Sequence, residues 1–301
     1  MNYREFGKTG ITVSEIGVGC GGLGGEAKLG LEPALDRAIE LGINFFDTCD
    51  TYAESRSEQT LGRVFKNHPR DRVVICTKFG GVIDEKGWHR DISVSHLHEA
   101  FAASCRRLGT DYFDIYLVHT PPRDILKHSD LLAELDKMVD QGKIRAYGLS
   151  VETGDFASEF VNATRGRAIE ITFNLFAQSP RQGFLDVACS KGAGVITKMP
   201  LDKGLLSGSF DPDNPAAAEK QARRLGEAEY TKRVGLWRKL QPILTKGGRT
   251  LTHGALAWLL SFPEVSSIIP GITSLARIEE TAAAGGLRLT PEEMAEIDRA
   301  M

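Results

Sequence analysis

Residues 43–52 read INFFDTCDTY. A short apolar run of strand length breaks at an acid, Asp47, and a phenol, Tyr52, follows five residues later. Runs of the same texture recur at EIGVG (15–19), RVVIC (72–76), FDIYLV (113–118), IRAYGL (144–149), AIEITF (168–173), GVIT (194–197) and SSIIP (266–270). Most are apolar on both faces, as parallel strands buried on both sides are. Helix-period sequence lies between them. PALDRAIELG (33–42) puts Leu35, Ala38, Ile39 and Leu41 on one side and stops at Gly42, which suits the residue just past a helix end. Residues 55–65 open with a capping box from Ser55 to Glu58. Ser179–Pro180 and Thr290–Pro291 each read as an N-cap followed by the proline favoured at the first helical position, with Glu293 completing a second box.

Even alternation of strand and helix predicts a parallel sheet. Eight units spaced by roughly 30 residues fit a closed α/β barrel, the (β/α)8 TIM fold. The surplus is an N-terminal β-hairpin (NYREFGKTGITVSEI), a long connection between about residues 202 and 250, and an extra C-terminal helix. No low-complexity linker interrupts the alternation, so residues 1–301 read as a single barrel domain. A rival signal is the glycine cluster: GVGCGG (17–22) and GCGGLG (19–24) both match G-x-G-x-x-G. That dinucleotide fingerprint must open a helix directly. Here EAKLGLE intervenes before the helical period at Pro33. The glycines read instead as a loop over which something flat or phosphorylated passes.

Composition narrows the class. Hydrophobic residues at 42% and charged ones at 26% suit a globular protein with a sizeable core. The net charge of −3, with no basic stripe, argues against nucleic acid as a partner. No apolar run reaches the roughly 18 residues of a membrane span, and the polar N-terminus does not read as a signal peptide. Cys20, Cys49, Cys76, Cys105 and Cys189 are scattered, without a C-x-x-C, and read as reduced thiols of a cytoplasmic protein. No metal site is expected, since His96 and His98 lie two apart on a helix and diverge.

The polar residues that end the apolar runs carry the chemistry. The second run ends in Asp47, the third in Lys78, the fourth in His119, the fifth in Ser150, the sixth near Asn174 and the seventh at Lys198. In a β/α barrel all these ends face one mouth, where such barrels do their chemistry. Singly each has an ordinary reading: turn former, packing histidine, surface salt-bridge partner. Together, with Tyr52 beside them, they suit protonation of an oxygen on which negative charge develops. A phenol titrates near 10. An ammonium ~4 Å away contributes ~4 kcal/mol at an effective dielectric near 20, which predicts a phenol pKa lowered towards neutrality even after Asp47, paired with Lys78, takes part of the effect back. His119 would orient a carbonyl oxygen. A lysine of this kind could instead form a Schiff base, as in aldolases, but a paired carboxylate opposes the lowered pKa that role needs. None of the four residues can supply a hydride, so the proton chemistry calls for a cofactor.

The sequence resembles the aldo-keto reductase superfamily over nearly its whole length. The leader YREFGKTGITVSEIGVGC, FFDTCDTY, CTKFG, RRLGTDYFDIYLVHTPP, GKIRAYGLS, PLDKGLLSG and IIPGITSLARIEE follow in the family's order. The resemblance implies NAD(P)H-dependent reduction of an aldehyde or ketone, or the reverse oxidation of an alcohol or sugar. It puts the catalytic four at Asp47, Tyr52, Lys78 and His119, with Tyr52 the general acid. It lays the cofactor across the mouth, past Cys20 and Gly21 and along Pro200, Leu201, Gly204, Leu206 and Ser207. The adenosine end falls at Gly271, Thr273, Ser274, Arg277, Glu280 and Thr281. Several positions depart from the family. Val151 stands where Asn is familiar, and Glu170 where Gln holds the nicotinamide amide. Lys198 takes the place of the stacking aromatic, Thr281 that of Asn near the adenine, and a basic residue near Thr273 is missing. Asn174 and Gln178 are candidates to share the amide-binding role with Ser150. Arg277, as a guanidinium near the expected 2′-phosphate, favours NADP(H) over NAD(H). A barrel that keeps the cofactor without turnover, as a regulatory subunit, is the alternative. Substrate choice would lie in the loops after the first, fourth and seventh strands and in the C-terminal segment. Trp88 and His89 either overhang the pocket or form an exposed turn.

Overall fold

The structure, a computed structural model, describes residues 1–85 and 87–301. It opens with the expected hairpin, β1 (Tyr3–Glu5) and β2 (Thr12–Ser14), paired antiparallel. The units that follow are β3 (Val18–Gly19) with α1 (Glu32–Glu40), β4 (Phe45–Asp47) with α2 (Arg56–Phe65), and β5 (Val74–Phe79). A side hairpin, β6 (Gly81–Asp84) and β7 (Gly87–Arg90), precedes α3 (Val94–Leu108). Then come β8 (Phe113–His119), α4 (Ser129–Asp140), β9 (Ile144–Val151), α5 (Gly154–Ala163), β10 (Ala168–Thr172), α6 (Phe184–Lys191) and β11 (Gly194–Lys198). The long connection folds into α7 (Pro215–Leu225) and α8 (Glu227–Leu244), followed by α9 (Leu251–Leu260), β12 (Val265–Ile268), α10 (Leu275–Ala282) and α11 (Pro291–Ala300).

Eight parallel strands run in the order β3, β4, β5, β8, β9, β10, β11, β12. The two edges meet through parallel bridges, Ile16 to Ile268 and Gly19 to Gly271, so the sheet closes on itself. The fold is the (β/α)8 barrel, and the doubly wound alternative is excluded. The residues in and just before Gly19–Gly24 that carry the glycine pattern form β3 and the turn after it, not a helix start.

Strand alternation divides the apolar residues between two cores. Phe45, Val74, Cys76, Ile115, Leu117 and Ile196 fill the barrel with Phe6, Ile11 and Val13 of the hairpin, which plugs the N-terminal end. Residues of opposite parity, such as Phe46, Ile75, Tyr116 and Val195, pack outward against the helices. The hairpin is fixed by Arg4, whose guanidinium donates to the carbonyls of Leu260 (2.7 Å), Phe262 (2.8 Å) and Val265 and to buried Glu15 (2.7 Å). Burial works to raise the Glu15 pKa, but hydrogen bonds from Arg288 and Arg4 outweigh it and hold the carboxyl below its usual range.

Helix ends follow the sequence in part. Gly42, just past α1, has φ +86°, a left-handed conformation that glycine takes freely. Thr290 and Glu293 form the reciprocal capping box at α11. The box expected from Ser55 does not form. Ser55 is itself left-handed, φ +68°, and its hydroxyl turns back to the Asp50 carbonyl at 2.7 Å, while Glu58 is buried in a bond from Thr77 at 2.6 Å. Ser179–Pro180 likewise opens only a short 3-10 turn, Ser179–Arg181, and α6 begins later, after Gly183.

Replacing Arg4 by Ala removes four hydrogen bonds and leaves three carbonyls and part of Glu15 without their partner. This is expected to cost ~3 kcal/mol of stability, read as a lower denaturant midpoint. An unchanged midpoint would mean the plug is held by apolar packing alone.

Candidate active site

Counting by two along each barrel strand carries the interior from apolar to charged. Phe45 is followed by Asp47, Cys76 by Lys78, Leu117 by His119, Ala168 by Glu170 and Ile196 by Lys198. Each pair shares the inward face, so the last inward side chains form a polar layer across the mouth. The register aligns His119 with Ser150 and Ser150 with Glu170.

Lys78 is fully buried at its centre. Its ammonium lies 2.6 Å from Asp47 Oδ2, 3.0 Å from Glu170 Oε2 and 2.9 Å from the Thr48 carbonyl. The contacts continue outward. Ser150 Oγ donates to Glu170 Oε1 at 2.9 Å and accepts from Lys198 Nζ at 3.1 Å, and Lys198 also pairs with Glu152 at 2.9 Å. Burial alone would lower the Lys78 pKa, but Asp47 and then Glu170 overrule it and the amine is held well above its usual value. It stays charged, against a Schiff-base role. Burial and the neighbouring Glu170 push Asp47 up, with Lys78 opposing. For Glu170, Lys78 and Lys198 outweigh burial and hold the carboxyl down.

Tyr52 stands over this ammonium, with Lys78 Nζ 5.2 Å from its ring centroid. Its pKa departs from the sequence expectation in sign. Burial pushes the phenol well above 10, Lys78 pulls it down, and Asp47 and Glu170 add to the rise. Burial of the phenol is what the strand-end reading did not set against Lys78, and the second carboxylate, Glu170, adds to it. Tyr52 therefore remains a protonated phenol. Three non-glycine residues after it, Ala53, Glu54 and Ser55, have φ of +50°, +56° and +68°. Left-handed backbone costs such residues ~1–2 kcal/mol each. The bond from Ser55 to the Asp50 carbonyl closes this turn and fixes the phenol.

His119 meets Tyr52 edge to face, ring centroids 5.8 Å apart. Burial, reinforced by the Lys78 charge, lowers its pKa to about 4, so the ring is neutral near pH 7. Its Nδ1 lies 3.2 Å from the Cys49 thiol. Cys49 sits inside the quoted motif but carries no sequence signal, because a buried cysteine packs like a small hydrophobe.

The mouth also gathers ligand atoms of Asp47, Cys76 and Glu170 within 4.8 Å of one another. The Lys78 ammonium already occupies the cation position between the two carboxylates. Burial pushes the Cys76 thiol up and makes it a poor metal ligand.

The expected cofactor positions divide into those at the rim and those turned inward. Pro200, Leu201, Gly204, Leu206 and Ser207 lie on a tight loop after β11, where Met199, Asp202 and Lys203 have positive φ, with Leu201 and Gly204 partly exposed and Pro200, Leu206 and Ser207 buried. Asp202 ties this loop to Arg233 of α8, and Ser207 Oγ donates to the Gly204 carbonyl at 2.7 Å. Beyond it lies a cleft of about 680 Å³ lined by Gly208, Phe210, Trp237, Gln241, Arg277 and Glu280. Trp237 Nε1 is buried there without a partner among the described residues. Aromatic faces, an indole donor and a guanidinium suit a nucleotide's base and phosphate. Arg277 is paired with Glu280 and donates to Thr252 at 3.2 Å. Gly271, Thr273 and Ser274 are exposed at the start of α10, where Ser274 caps the Arg277 amide. Gly21 is exposed too.

Other positions are not free to reach a ligand. Cys20 is buried, its amide bonded to the Asp47 carbonyl and its own carbonyl to Ser57. Thr281 is buried and bonds back to the Arg277 carbonyl. Asn174 holds the Met199 carbonyl at 2.8 Å and accepts from the Phe176 amide at 2.8 Å. Gln178 lies against Arg181 and Met301, apart from Ser150 and Glu170. Trp88 and His89 belong to a hairpin strand and not to a turn. The indole is half-exposed and folds back on Gly81, where an added Cβ would meet its Nε1 at 2.9 Å.

A barrel whose mouth holds a buried Asp–Lys pair under a phenol, with a neutral histidine and, beyond the loop after β11, a cleft lined by aromatic rings and a guanidinium, has the form of a nicotinamide-linked oxidoreductase. Residues 15–301 match the model of the aldo/keto reductase family, and the chain belongs to that family. It is 32% identical over 301 residues to the oxidoreductase YqkF of Bacillus subtilis (strain 168), covering 98% of this chain and 94% of that one. It is 29% identical over 310 residues to the NADH-specific methylglyoxal reductase of Escherichia coli (strain K12), covering 96% and 95%. The holo form of the aldo-keto reductase AKR11C1 from Bacillus halodurans superimposes with a TM-score of 0.83 at 25% identity, covering 100% of this chain and 96% of that one. The reaction of this chain is NAD(P)H-dependent reduction of a carbonyl to an alcohol, or the reverse.

Glu170→Gln leaves Lys78 with one charged counter-ion and removes a carboxylate that raises the Tyr52 pKa. The alkaline limb of the reduction profile should therefore move to lower pH. A profile that stays in place would show that Glu170 does not bear on the phenol.

Proposed function

We propose that Tyr52 is the general acid of the reaction and that Asp47, Lys78 and His119 serve it. The observation that carries this is the Lys78 ammonium, fully buried between Asp47 and Glu170 and 5.2 Å from the Tyr52 ring centroid. A nicotinamide cofactor supplies the hydride to the carbonyl carbon. Tyr52 gives its proton to the carbonyl oxygen as charge develops there. Lys78 stabilises the phenolate left behind. Asp47 and the Thr48 carbonyl hold Lys78 in place. His119, neutral, contributes a hydrogen bond that orients the oxygen, and Glu170 with Ser150 accepts the carboxamide of the nicotinamide. In the reverse direction the same groups collect the proton of an alcohol.

We propose NADP(H) over NAD(H), supported by the Arg277 guanidinium at the cleft, which suits a 2′-phosphate. The named NADH specificity of the Escherichia coli relative makes this choice a direct test. The substrate is a small aldehyde, ketone or sugar, with methylglyoxal in the first panel because that relative is named for it. Five free cysteines support a cytoplasmic location, and no helix among the described residues is long and apolar enough to cross a membrane. Residues 1–301 act as one folding unit in this reading, because Arg4 joins the first hairpin to the segment between α9 and β12.

Absorbance at 340 nm, followed with each cofactor across such a panel, tests the reaction and its substrates. Tyr52→Phe should cut turnover by at least ~100-fold while cofactor affinity changes little. Equal activity would end the general-acid assignment, and tight binding by the parent protein without turnover on any substrate would favour a regulatory barrel. Arg277→Ala should weaken NADPH by ~10-fold more than NADH, measured by quenching of protein fluorescence. Equal losses would remove the basis for the NADP(H) preference.

A further inference from the structure

Behind His119 lies a short polar chain that the reaction as described does not use. Cys49 Sγ is 3.2 Å from His119 Nδ1 on one side and 3.2 Å from Asp50 Oδ1 on the other. Thr51 Oγ1 at 3.3 Å and the Lys78 carbonyl at 4.0 Å complete its surroundings. Asp50 lines a surface cleft of about 400 Å³ together with Thr51, Gly81, His96, Glu99 and Arg107. The chain thus links a ring nitrogen behind the mouth to water on the outer side of the barrel. On the mouth side, His119 Nε2 has no protein partner among the described residues.

We propose that Asp50, acting through the Cys49 thiol, is a positioning residue that sets which ring nitrogen of His119 carries the proton. The proposal rests on the reading that His119 faces the reacting oxygen. A thiol has one hydrogen to give. When Asp50 is protonated it donates to sulfur, the S–H donates to Nδ1, and the ring proton sits on Nε2, ready for a carbonyl oxygen. When Asp50 is ionised it draws the S–H to itself. Nδ1 must then donate to sulfur, and Nε2 is left bare, ready to accept from an alcohol hydroxyl. The neutral ring keeps one proton throughout, exchanged with water, and the net change is one proton lost from Asp50 to the cleft. No covalent step is involved, and Tyr52 remains the acid.

The surroundings allow this to happen near neutral pH. Burial raises the Asp50 pKa to about 7, the Cys49 bond opposing it, with Glu58 of α2 adding to the rise and Arg107 of α3 lowering it. Glu58 and Arg107 are themselves paired, and Glu58 also accepts from Thr77 of β5. His96 and Glu99 of α3 face the same cleft. Burial, then Asp50, keeps Cys49 a thiol. Around His119, Lys78 and Lys198 disfavour the imidazolium and Glu170 favours it, burial dominating, so the ring stays neutral across the range in which Asp50 titrates.

The test is the tautomer itself, read from two-bond proton–nitrogen correlation spectra of the full chain between about pH 5.5 and about pH 8.5. The His119 signals are assigned by their loss in His119→Gln. The parent should show Nε2–H at the acid end and Nδ1–H at the alkaline end. In Asp50→Asn and in Cys49→Ala the tautomer should no longer follow pH, and Cys49→Ser, which keeps a donor and an acceptor, should restore the switch. One tautomer at both ends in the parent, or a switch that survives both Asp50→Asn and Cys49→Ala, overturns the inference. If His119→Gln turns over as fast as the parent, the assignment of His119 to the reacting oxygen fails instead, whatever the tautomer does.

Discussion

A buried ammonium is costly, and the mouth of this barrel is organised around one. Removing Lys78 from water is tolerable only with close, well-oriented partners. It has three, contributed by β4, by the residue after β4 and by β10. The partners come from opposite parts of the sheet, so the site exists only while the barrel is closed. The bridges from Ile16 to Ile268 and from Gly19 to Gly271 close that sheet at the seam.

The contacts radiating from Lys78 alternate in sign. From Asp47 to Lys78 to Glu170, through Ser150, to Lys198 and Glu152, each charge has neighbours of opposite sign. Such a row gains attraction at every link and collects no large net charge in a low-dielectric interior. It also explains two departures from the family together. A carboxylate at Glu170 brings a charge into the layer, and an ammonium at Lys198 answers it through Ser150. Each also has an ion-pair partner of its own, Lys78 for Glu170 and Glu152 for Lys198.

The architecture was legible because it rests on local periodicity. Eight apolar runs, six of them ending in polar residues, fix strands, parity and the mouth, and Asp47, Lys78 and His119 arrive there for that reason alone. What could not be read was anything set by the cross-barrel neighbour. Glu170 lies within an apolar run and shows its partnership with Lys78 only once β10 stands opposite β5. The sign of the shift at Tyr52 was reversed chiefly by burial of the phenol, to which Asp47 and Glu170 add. Ser55 failed as a cap for a related reason: tertiary demand for a fixed phenol forces residues 53–55 left-handed and turns the hydroxyl back to Asp50. Asn174 and Gln178 look like amide binders in sequence, but their side chains are already bonded within the fold.

The raised phenol pKa is consistent with the chemistry and not an obstacle to it. A general acid must hold its proton until charge appears on the substrate oxygen. Burial first, and then the two carboxylates Asp47 and Glu170, make the Tyr52 phenol hold its proton in the resting protein. As the hydride arrives, the developing alkoxide becomes a far stronger base than the carbonyl it came from. In the proposed reaction the proton would pass between two oxygens, and the same ammonium, 5.2 Å from the ring centroid, would face the phenolate that remains. In the proposed reaction Lys78, which already lowers the resting phenol's pKa, would contribute more once the phenol is ionised, which is the condition for an interaction to raise a rate and not only an affinity. Glu170 limits how far that preference for the ionised phenol extends into the ground state. In the proposed reaction the row of charges that keeps the ammonium buried would also set when the proton leaves.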